Sequence, residues 1–231
     1  MKAIRGSLPA KHARRTRFAV AISLAFSLAF VLLGAGCARP NHLLDRDPVN
    51  PDLTIHVVVE NPAGSGEKWE VRENGRLERD FDGGIPIEIQ YLPWPVNGGM
   101  MPRTLHAAEL GGDGEPLDVL LLGPAVARGA TLRARPIGLL RVLDSLERDD
   151  KILAVPETGF FSDIETCDEL ERRHPGVREI LARWFEHSRP GGVVEVQGYA
   201  TREAAALLIE DAVRAFDAAL ASDALPRWKN P

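Results

Sequence analysis

Short apolar segments rich in β-branched residues dominate the middle of the chain, and Gly, Pro, Asn or Asp separates each segment from the next. This pattern predicts β-strands joined by turns. The predicted strands cover residues 53–60, 68–72, 85–91, 117–122, 131–143, 152–155 and 193–199.

Helical patterns come late in the chain. Between residues 177 and 185, apolar residues recur at i, i+3, i+4, i+7 and i+8, which places them on one face of an α-helix. A second helix is expected after Thr201 as N-cap, with an apolar residue at every fourth position from Leu208 to Leu220. A weaker helical pattern covers residues 162–172. Strands followed by helices predict an α+β domain with a closed or strongly curved antiparallel sheet.

The start of the chain differs from the rest. Residues 1–17 contain six basic residues and no acidic one, and residues 18–36 contain no charge. A basic segment, an apolar segment and small residues before Cys37 predict a secretory signal. Residues 33–37 resemble a bacterial lipoprotein signal, in which Cys37 becomes acylated. The alternative is an uncleaved anchor, since about 19 apolar residues just span a bilayer. Both interpretations place the exported chain at a membrane of the cell envelope.

These features divide the chain without a further linker or internal repeat. Acylation of Cys37 leaves Cys167 without a disulfide partner, so we expect Cys167 to be a small buried residue. We expect a signal peptide over residues 1–36, a flexible tether over 37–52, one domain over 53–222 and a C-terminal tail over 223–231.

The net charge of −5 is the sum of the charges of two unlike parts of the chain. Residues 1–37 hold six of the 28 basic residues and no acid, so the remainder has 22 basic and 33 acidic residues, a net charge of −11. Such an acidic domain is a poor partner for nucleic acid, and it favours the binding of cations.

Three acidic residues, Asp113, Glu115 and Asp118, lie within six positions directly before an apolar run at 119–122. Clustered carboxylates repel one another and are costly to bury, so they favour a bound cation, and their hard oxygen atoms suit Mg²⁺. The alternative for this segment alone is a solvated acidic turn.

Further charged residues follow or alternate along other predicted strands. Strand ends that supply carboxylates, with Lys and Arg between them, are typical of a site that holds several Mg²⁺ ions and a phosphate. The acidic members are Glu60, Glu70, Asp144 and Asp149, and the basic members are Lys68, Arg79 and Lys151.

The segment Asp113-Gly-Glu115-Pro-Leu-Asp118 resembles the Asp-x-Asp-Pro-x-Asp signature of the family I soluble inorganic pyrophosphatases, with one Asp-to-Glu change. Other blocks follow in the same order as in that family, from near residue 53 to near residue 219. They include residues 57–62, 68–70, 95–99, 135–138, 144–156, 185–187 and 195–198.

This resemblance implies an OB-type closed antiparallel β-barrel flanked by C-terminal helices, which hydrolyses inorganic diphosphate with several Mg²⁺ ions and forms a homo-oligomer. By position, Glu115 is the general base. The implied metal ligands are Asp113, Asp118, Asp144 and Asp149, with Glu60 and Glu70 in an outer acidic ring or holding waters of a substrate-bound metal. The implied phosphate-binding residues are Lys68, Arg79, Lys151 and Arg189.

The chain departs from the family pattern around the expected phosphate. Trp94, Gly98 and Ser188 occupy positions of family tyrosines, and Arg189 occupies that of a lysine. These changes leave a second interpretation open. It is a non-catalytic or substrate-shifted envelope lipoprotein of the same fold that binds phosphate-like ligands or a protein partner.

Overall fold

The computed structural model describes residues 43–189 and 194–224. In chain order these form strands β1 to β10, helices α1 and α2, strand β11 and helix α3, with a short 3₁₀ helix before β7. The bounds are β1 Ile55–Asn61, β2 Trp69–Val71, β3 Leu77–Arg79, β4 Phe81–Asp82, β5 Ile85–Pro86, β6 Asn97–Met100, the 3₁₀ helix Ala108–Leu110, β7 Asp118–Leu121, β8 Thr131–Asp144, β9 Glu147–Arg148, β10 Lys151–Pro156, α1 Cys167–Arg173, α2 Val177–Ser188, β11 Val194–Ala200 and α3 Arg202–Ala221.

The main sheet has the strand order β1-β6-β7-β10-β8-β11, with β9 paired to β8. Strand β8 spans 14 residues and also pairs with β1, so β1, β6, β7, β10 and β8 form a ring of hydrogen-bonded neighbours. The prediction of an antiparallel sheet was wrong at one place, because β7 and β10 run parallel. The sheet is therefore mixed. The segment that joins β7 to β10 contains the whole of β8, which leaves enough chain for β10 to return in the same direction as β7.

The hydrophobic core lies on both faces of this sheet. Along β7, Val119 and Leu121 belong to one buried cluster, and Leu120 and Leu122 belong to another. Strand periodicity explains this alternation, since successive side chains point to opposite faces. Helix α3 packs on the first cluster, and α1 and α2 pack on the second. Both faces of the strand are buried, so its sequence is a continuous apolar run.

Two of the three α-helices in the described residues begin after a threonine that caps them. The Thr201 hydroxyl accepts a hydrogen bond from the Ala204 amide at 3.3 Å, which confirms the expected N-cap of α3. Thr166 caps α1 in the same way through the Glu169 amide at 3.1 Å, so α1 begins at Cys167, five residues later than predicted. Cys167 is buried at the start of this helix, as expected.

Residues 43–52 contact the sheet, although their composition assigns them to the tether. Val49 forms a β-bridge with Ile55, and the His56 amide donates to the Pro48 carbonyl at 3.1 Å. Leu43 and Leu44 pack against a third buried cluster, formed by Val58, Val71 and Met100. The packed part of the chain thus extends N-terminal to residue 53, the predicted start of the domain.

The predicted signal peptide, Cys37 and the tether as far as residue 42 lie outside the described residues, as do residues 225–231 of the predicted tail. Among the helices of residues 43–189 and 194–224, none is both long and apolar enough to cross a membrane.

Candidate active site

A cavity of about 640 Å³ lies over one side of the main sheet. Several separate parts of the chain contribute charged side chains to it: the end of β1, strand β2, the loop before β7, the β8–β10 connection and the residue after α2. Its charged lining residues include Glu60, Lys68, Glu70, Asp113, Glu115, Asp118, Asp144, Asp149, Lys151 and Arg189. All the acidic residues that the sequence singles out therefore face one cavity, together with three of the four basic ones.

The loop before β7 presents its three carboxylates because its backbone is fixed at both ends. The Asp113 carboxylate accepts a hydrogen bond from the Glu115 amide at 3.0 Å. Between them, Gly114 has φ = 80°, a conformation that side chains with a Cβ rarely adopt. The Leu117 amide then donates to the buried Thr104 hydroxyl at 3.0 Å. These bonds hold the turn and bring Asp118 into β7.

Lys151 lies at the centre of the acidic cluster. The parallel register of β7 and β10 places it directly opposite Asp118. Its ammonium forms ion pairs with Asp118 and Asp149, and its side chain is buried. Burial alone lowers the pKa of Lys151, but the two carboxylates outweigh burial, and the pKa is raised above its usual value. Lys151 is therefore a permanent cation in this cavity.

Burial makes three other carboxyl groups of the cavity costly to ionise. Burial, with repulsion from Glu70 and Asp113, raises the pKa of Glu115 to about 8. Burial and the charge of Asp149 raise the pKa of Asp113 to about 6. Burial is also the main reason why the pKa of Glu60 lies well above its usual value, although its carboxylate accepts the Val71 amide at 2.7 Å. The site therefore favours additional positive charge.

Four alternating charges form a closed network beside these carboxylates. Lys68 Nζ lies 2.5 Å from Glu70 Oε1 and 2.8 Å from Asp80 Oδ2. Arg72 Nη1 lies 2.8 Å from Glu70 Oε2, and Arg72 Nη2 lies 3.0 Å from Asp80 Oδ1. We call these four residues the charge ring, and all of them line the cavity. Arg72 and Asp80 were not predicted as site residues, although the two-residue spacing from Lys68 through Glu70 to Arg72 indicates a shared strand face.

Arg79, predicted as a phosphate-binding residue, is not among the residues that line the cavity, so the structure does not bring it together with the other predicted site residues. Its guanidinium pairs with Glu67 at 3.3 Å and with Glu88 at 2.9 Å. The cause is strand register: Arg79 lies opposite Trp69 in the β2–β3 pair, and directly opposed residues share a face. That face is opposite to the one that carries Lys68.

The family model described as inorganic pyrophosphatase matches residues 57–217. The chain belongs to the inorganic pyrophosphatase family. It is 36% identical over 161 residues to the inorganic pyrophosphatase of Aquifex pyrophilus, and the alignment covers 65% of this chain and 82% of that protein. It is 34% identical over 172 residues to that of Gluconobacter oxydans, covering 70% of this chain and 90% of the relative.

Solved pyrophosphatase structures share the fold. An inorganic pyrophosphatase from Coxiella burnetii aligns with a TM-score of 0.63 at 27% identity, covering 74% of this chain and 99% of that one. A recombinant inorganic pyrophosphatase from T. brucei brucei aligns with a TM-score of 0.72 at 18% identity, covering 79% and 60%, and this likeness concerns the fold alone. The match spans most of the Coxiella chain, so the packed domain has the extent of a whole bacterial pyrophosphatase.

Aromatic rings fill the places where the family pattern has tyrosines. A Cβ at Gly98 would lie 2.8 Å from the Trp94 ring, so glycine at 98 makes room for the indole. The Trp94 ring packs against Trp184 with 4.6 Å between centroids and against Phe185 with 6.4 Å. Two expected phenol hydroxyl groups are thus replaced by one indole that belongs to an aromatic wall of the cavity.

The C-terminal end of α2 completes the cavity of this pyrophosphatase. Arg189, the residue after the helix, forms an ion pair with Asp144 at the end of β8. Ser188 also lines the cavity, and its hydroxyl donates to the Phe185 carbonyl at 3.3 Å. A guanidinium replaces the ammonium of the family pattern, and it retains the positive charge and the ability to bind phosphate oxygens.

The donor set fits Mg²⁺ by its chemistry. Within residues 43–189 and 194–224, no three acidic, His or Cys side chains form a ready-made ligand group. Their cavity nevertheless offers hard carboxylate oxygens, and burial raises the pKa values of Asp113 and Glu115 although Lys151 and Lys68 act in the opposite direction. Divalent cations would add further positive charge beside them, in keeping with the Mg²⁺ dependence of the family.

Proposed function

We propose that this cavity is where the chain hydrolyses inorganic diphosphate to two phosphates with Mg²⁺. The observation that carries the proposal is the convergence of Asp113, Glu115 and Asp118 with Lys151 in one cavity. The family match covers the segments that contribute these residues. A phosphoanhydride needs cations on both its leaving and transferred groups, and a base for the attacking water.

Glu115 is assigned as the general base. Its carboxylate takes a proton from the attacking water, and nearby bound cations would keep it ionised against the burial that raises its pKa. Its side chain is one methylene longer than the middle aspartate of the signature, and Glu115 still lines the cavity. Asp113 fixes the turn on which Glu115 sits through the backbone bond described above.

The remaining charged residues bind and orient. Bound Mg²⁺ lowers the pKa of water and offsets charge on the phosphoryl oxygens. Lys68, Lys151 and Arg189 bind phosphate oxygens by charge-assisted hydrogen bonds. Lys151 is shared between Asp118 and Asp149, so it links the substrate to the metal-binding carboxylates. The carboxylates that would hold the metal ions are Asp113, Asp118, Asp144 and Asp149, with Glu60 and Glu70 at the edge.

We also propose that the protein acts at the cell envelope. The basic and uncharged segments before Cys37 support export and lipid attachment at the cell envelope. Diphosphate hydrolysis there would release phosphate for uptake. The ring of paired strands supports an OB-type closed barrel as the finer description of the fold. A homo-oligomer remains a proposal from the family resemblance.

The deciding assay is phosphate release from diphosphate by the full chain in detergent, with Mg²⁺ and with EDTA. We expect Mg²⁺-dependent release, which Asp118→Asn abolishes. Wild type and Asp118→Asn could both release no phosphate while Mg²⁺ still raises the melting temperature. That result would instead support a metal-binding lipoprotein without turnover, the alternative left open by the absence of tyrosines at Trp94 and Gly98. Faster cleavage of tripolyphosphate than of diphosphate would retain the chemistry and change the substrate.

A further inference from the structure

The charge ring contains a guanidinium that the family resemblance does not assign. Each of its two carboxylates uses one oxygen for Lys68 and the other for Arg72. The two cations therefore occupy equivalent places between Glu70 and Asp80, and both face the cavity. Lys68 is already placed at the phosphate, and Arg72 shares its two anchors.

Strand register explains why Arg72 and not Arg79 has this position. The Asp80 amide donates to the Lys68 carbonyl at 2.9 Å, so Asp80 continues the β2–β3 ladder opposite Lys68. Residues two apart on a strand share a face, which puts Lys68, Glu70 and Arg72 with Asp80 on the cavity side. Arg79, one position before Asp80, points to the other face and pairs with Glu67.

The guanidinium of Arg72 is held by two ion pairs, and it still has N–H donors that a ligand can use. Its side chain is only 11% exposed, and the ion pairs to Glu70 and Asp80 each use a different terminal nitrogen. A guanidinium has five N–H donors in a planar fork, which matches the oxygens of a phosphate. A buried guanidinium fixed by two carboxylates is also preorganised, because its rotamer is already set.

We propose that Arg72 binds a phosphate oxygen of the substrate in place of Arg79, with Asp80 as the residue that positions it. This inference rests on the proposed function, since it concerns the same cavity. Glu70 and Asp80 hold the two cations at a fixed spacing, and the substrate oxygens meet Lys68 and Arg72 together. The charge ring then supplies two of the phosphate-binding cations, Lys68 and Arg72, beside the proposed metal-binding carboxylates of residues 113–118.

The test compares three variants of the full chain: Arg72→Ala, Arg72→Gln and the matched control Arg79→Ala. Isothermal titration with imidodiphosphate, a non-hydrolysable analogue, and Mg²⁺ gives the dissociation constant, and steady-state assays give KM and kcat separately. We expect Arg72→Ala to weaken analogue binding about 10- to 100-fold and to raise KM. Arg79→Ala removes a surface pairing and is expected to change both by less than about 5-fold.

Arg72→Gln guards against loss of folding, because it retains the three side-chain carbons and an N–H donor but removes the charge. Melting temperatures identify folded variants, and a folded Arg72→Gln protein with analogue affinity lowered at least about 10-fold supports the proposal. Wild-type affinity in a folded Arg72 variant, or an equal loss in Arg79→Ala, overturns it. Absence of turnover in the wild type would refute the proposed function, while the analogue titration still decides the role of Arg72.

Discussion

Asp118 and Lys151 lie directly opposite each other on the parallel strands β7 and β10, and their side chains form an ion pair inside the cavity. The backbone therefore fixes a cation beside a carboxylate that we propose as a metal ligand. Asp149, two residues before Lys151, forms the second ion pair with the same ammonium. The only parallel pairing among the described strands of the main sheet thus leads directly into the site.

Replacing Lys151 with Met is expected to destabilise the protein when EDTA is present. The variant leaves Asp118 and Asp149 without their cation, but the Asp118 side chain is 44% exposed, so solvent screens part of the repulsion. We therefore expect a loss of about 1–3 kcal/mol, less than the roughly 3–5 kcal/mol that breaking a fully buried pair costs. Mg²⁺ supplies the missing charge, so it is expected to restore more stability to Lys151→Met than it adds to wild type. Urea unfolding with and without Mg²⁺ measures both effects.

The matched control is Arg214→Met, which breaks exposed ion pairs with Glu210 and Asp211 on α3. Exposed pairs contribute about 0–1 kcal/mol, so this control is expected to change little and to show no interaction with Mg²⁺. A Lys151→Met protein as stable as wild type in EDTA would contradict the prediction.

The main strands and helices were predictable because their sequences have the residue types of a strand or apolar residues that recur with the period of a helix. The β-branched run at 131–143 became β8, and the apolar positions 181, 184 and 185 of α2 are buried as one helix face. Strand β6 was missed because Asn97, Gly98 and Gly99 lack the residue types that favour strands. Gly99 is required by packing, since a Cβ there would lie 2.2 Å from the Val58 carbonyl oxygen.

The site residues were predictable where charged residues are close together in the sequence. They were not predictable where strand register determines which side chain faces the cavity. Asp113, Glu115 and Asp118 stand together in sequence and in space. The choice between Arg72 and Arg79 depends on which residue of β3 faces Lys68, and a shift of one residue exchanges the two faces of a strand. Sequence spacing alone does not fix that register.

A second prediction concerns the close contact between Gly138 in β8 and Cys167 in α1. A Cβ at Gly138 would lie 2.1 Å from Cys167 Sγ and 2.8 Å from the Ala200 carbonyl oxygen. Overpacking of this kind costs about 1–3 kcal/mol, so Gly138→Ala is expected to lower the unfolding free energy by that amount. Adding Cys167→Ala removes the nearest atom and is expected to recover part of the loss, which a double-mutant cycle measures.

The control for this contact is Gly66→Ala, where the nearest atom to a new Cβ is the Ile89 carbonyl oxygen at 3.9 Å. We expect it to change the unfolding free energy by less than about 0.5 kcal/mol. Additive effects of Gly138→Ala and Cys167→Ala would show that the two positions do not share the contact.

A third prediction follows from the buried thiol itself. Burial raises the pKa of Cys167 to about 11, against 9.0 for an exposed thiol. Above pH 9 the unfolded chain releases this proton and the folded chain keeps it, so the stability from this group is full below pH 9 and is lost as the pH rises towards 11. Wild type is therefore expected to lose about 1–3 kcal/mol more than Cys167→Ala between pH 8 and pH 11. Parallel pH profiles of the two proteins would contradict the shift.

The last prediction separates catalysis from stability at Glu115. Glu115→Gln removes the proposed base, and loss of a general base typically lowers the rate about 10²- to 10⁴-fold. The folded pKa of Glu115, about 8, lies above its ordinary value of 4.5. The wild-type carboxyl therefore destabilises the fold increasingly as the pH rises from 4.5 through 8, because only the unfolded chain ionises freely there. In EDTA, Glu115→Gln is expected to gain about 2–4 kcal/mol over wild type between pH 5 and pH 9.

Glu115→Asp is the matched variant, since it retains the carboxylate and shortens its reach by one methylene. We expect it to keep more activity than Glu115→Gln, because the charge and the nearby Asp113 turn are preserved. Phosphate-release rates with Mg²⁺ and urea midpoints with EDTA, measured on the same three proteins, test the two effects independently. A Glu115→Gln protein that is active would show that Glu115 is not the general base. If that protein is also no more stable than wild type at pH 9, the pKa of Glu115 is not raised by folding. Asp113 would then be the loop carboxyl group whose raised pKa still favours a bound cation.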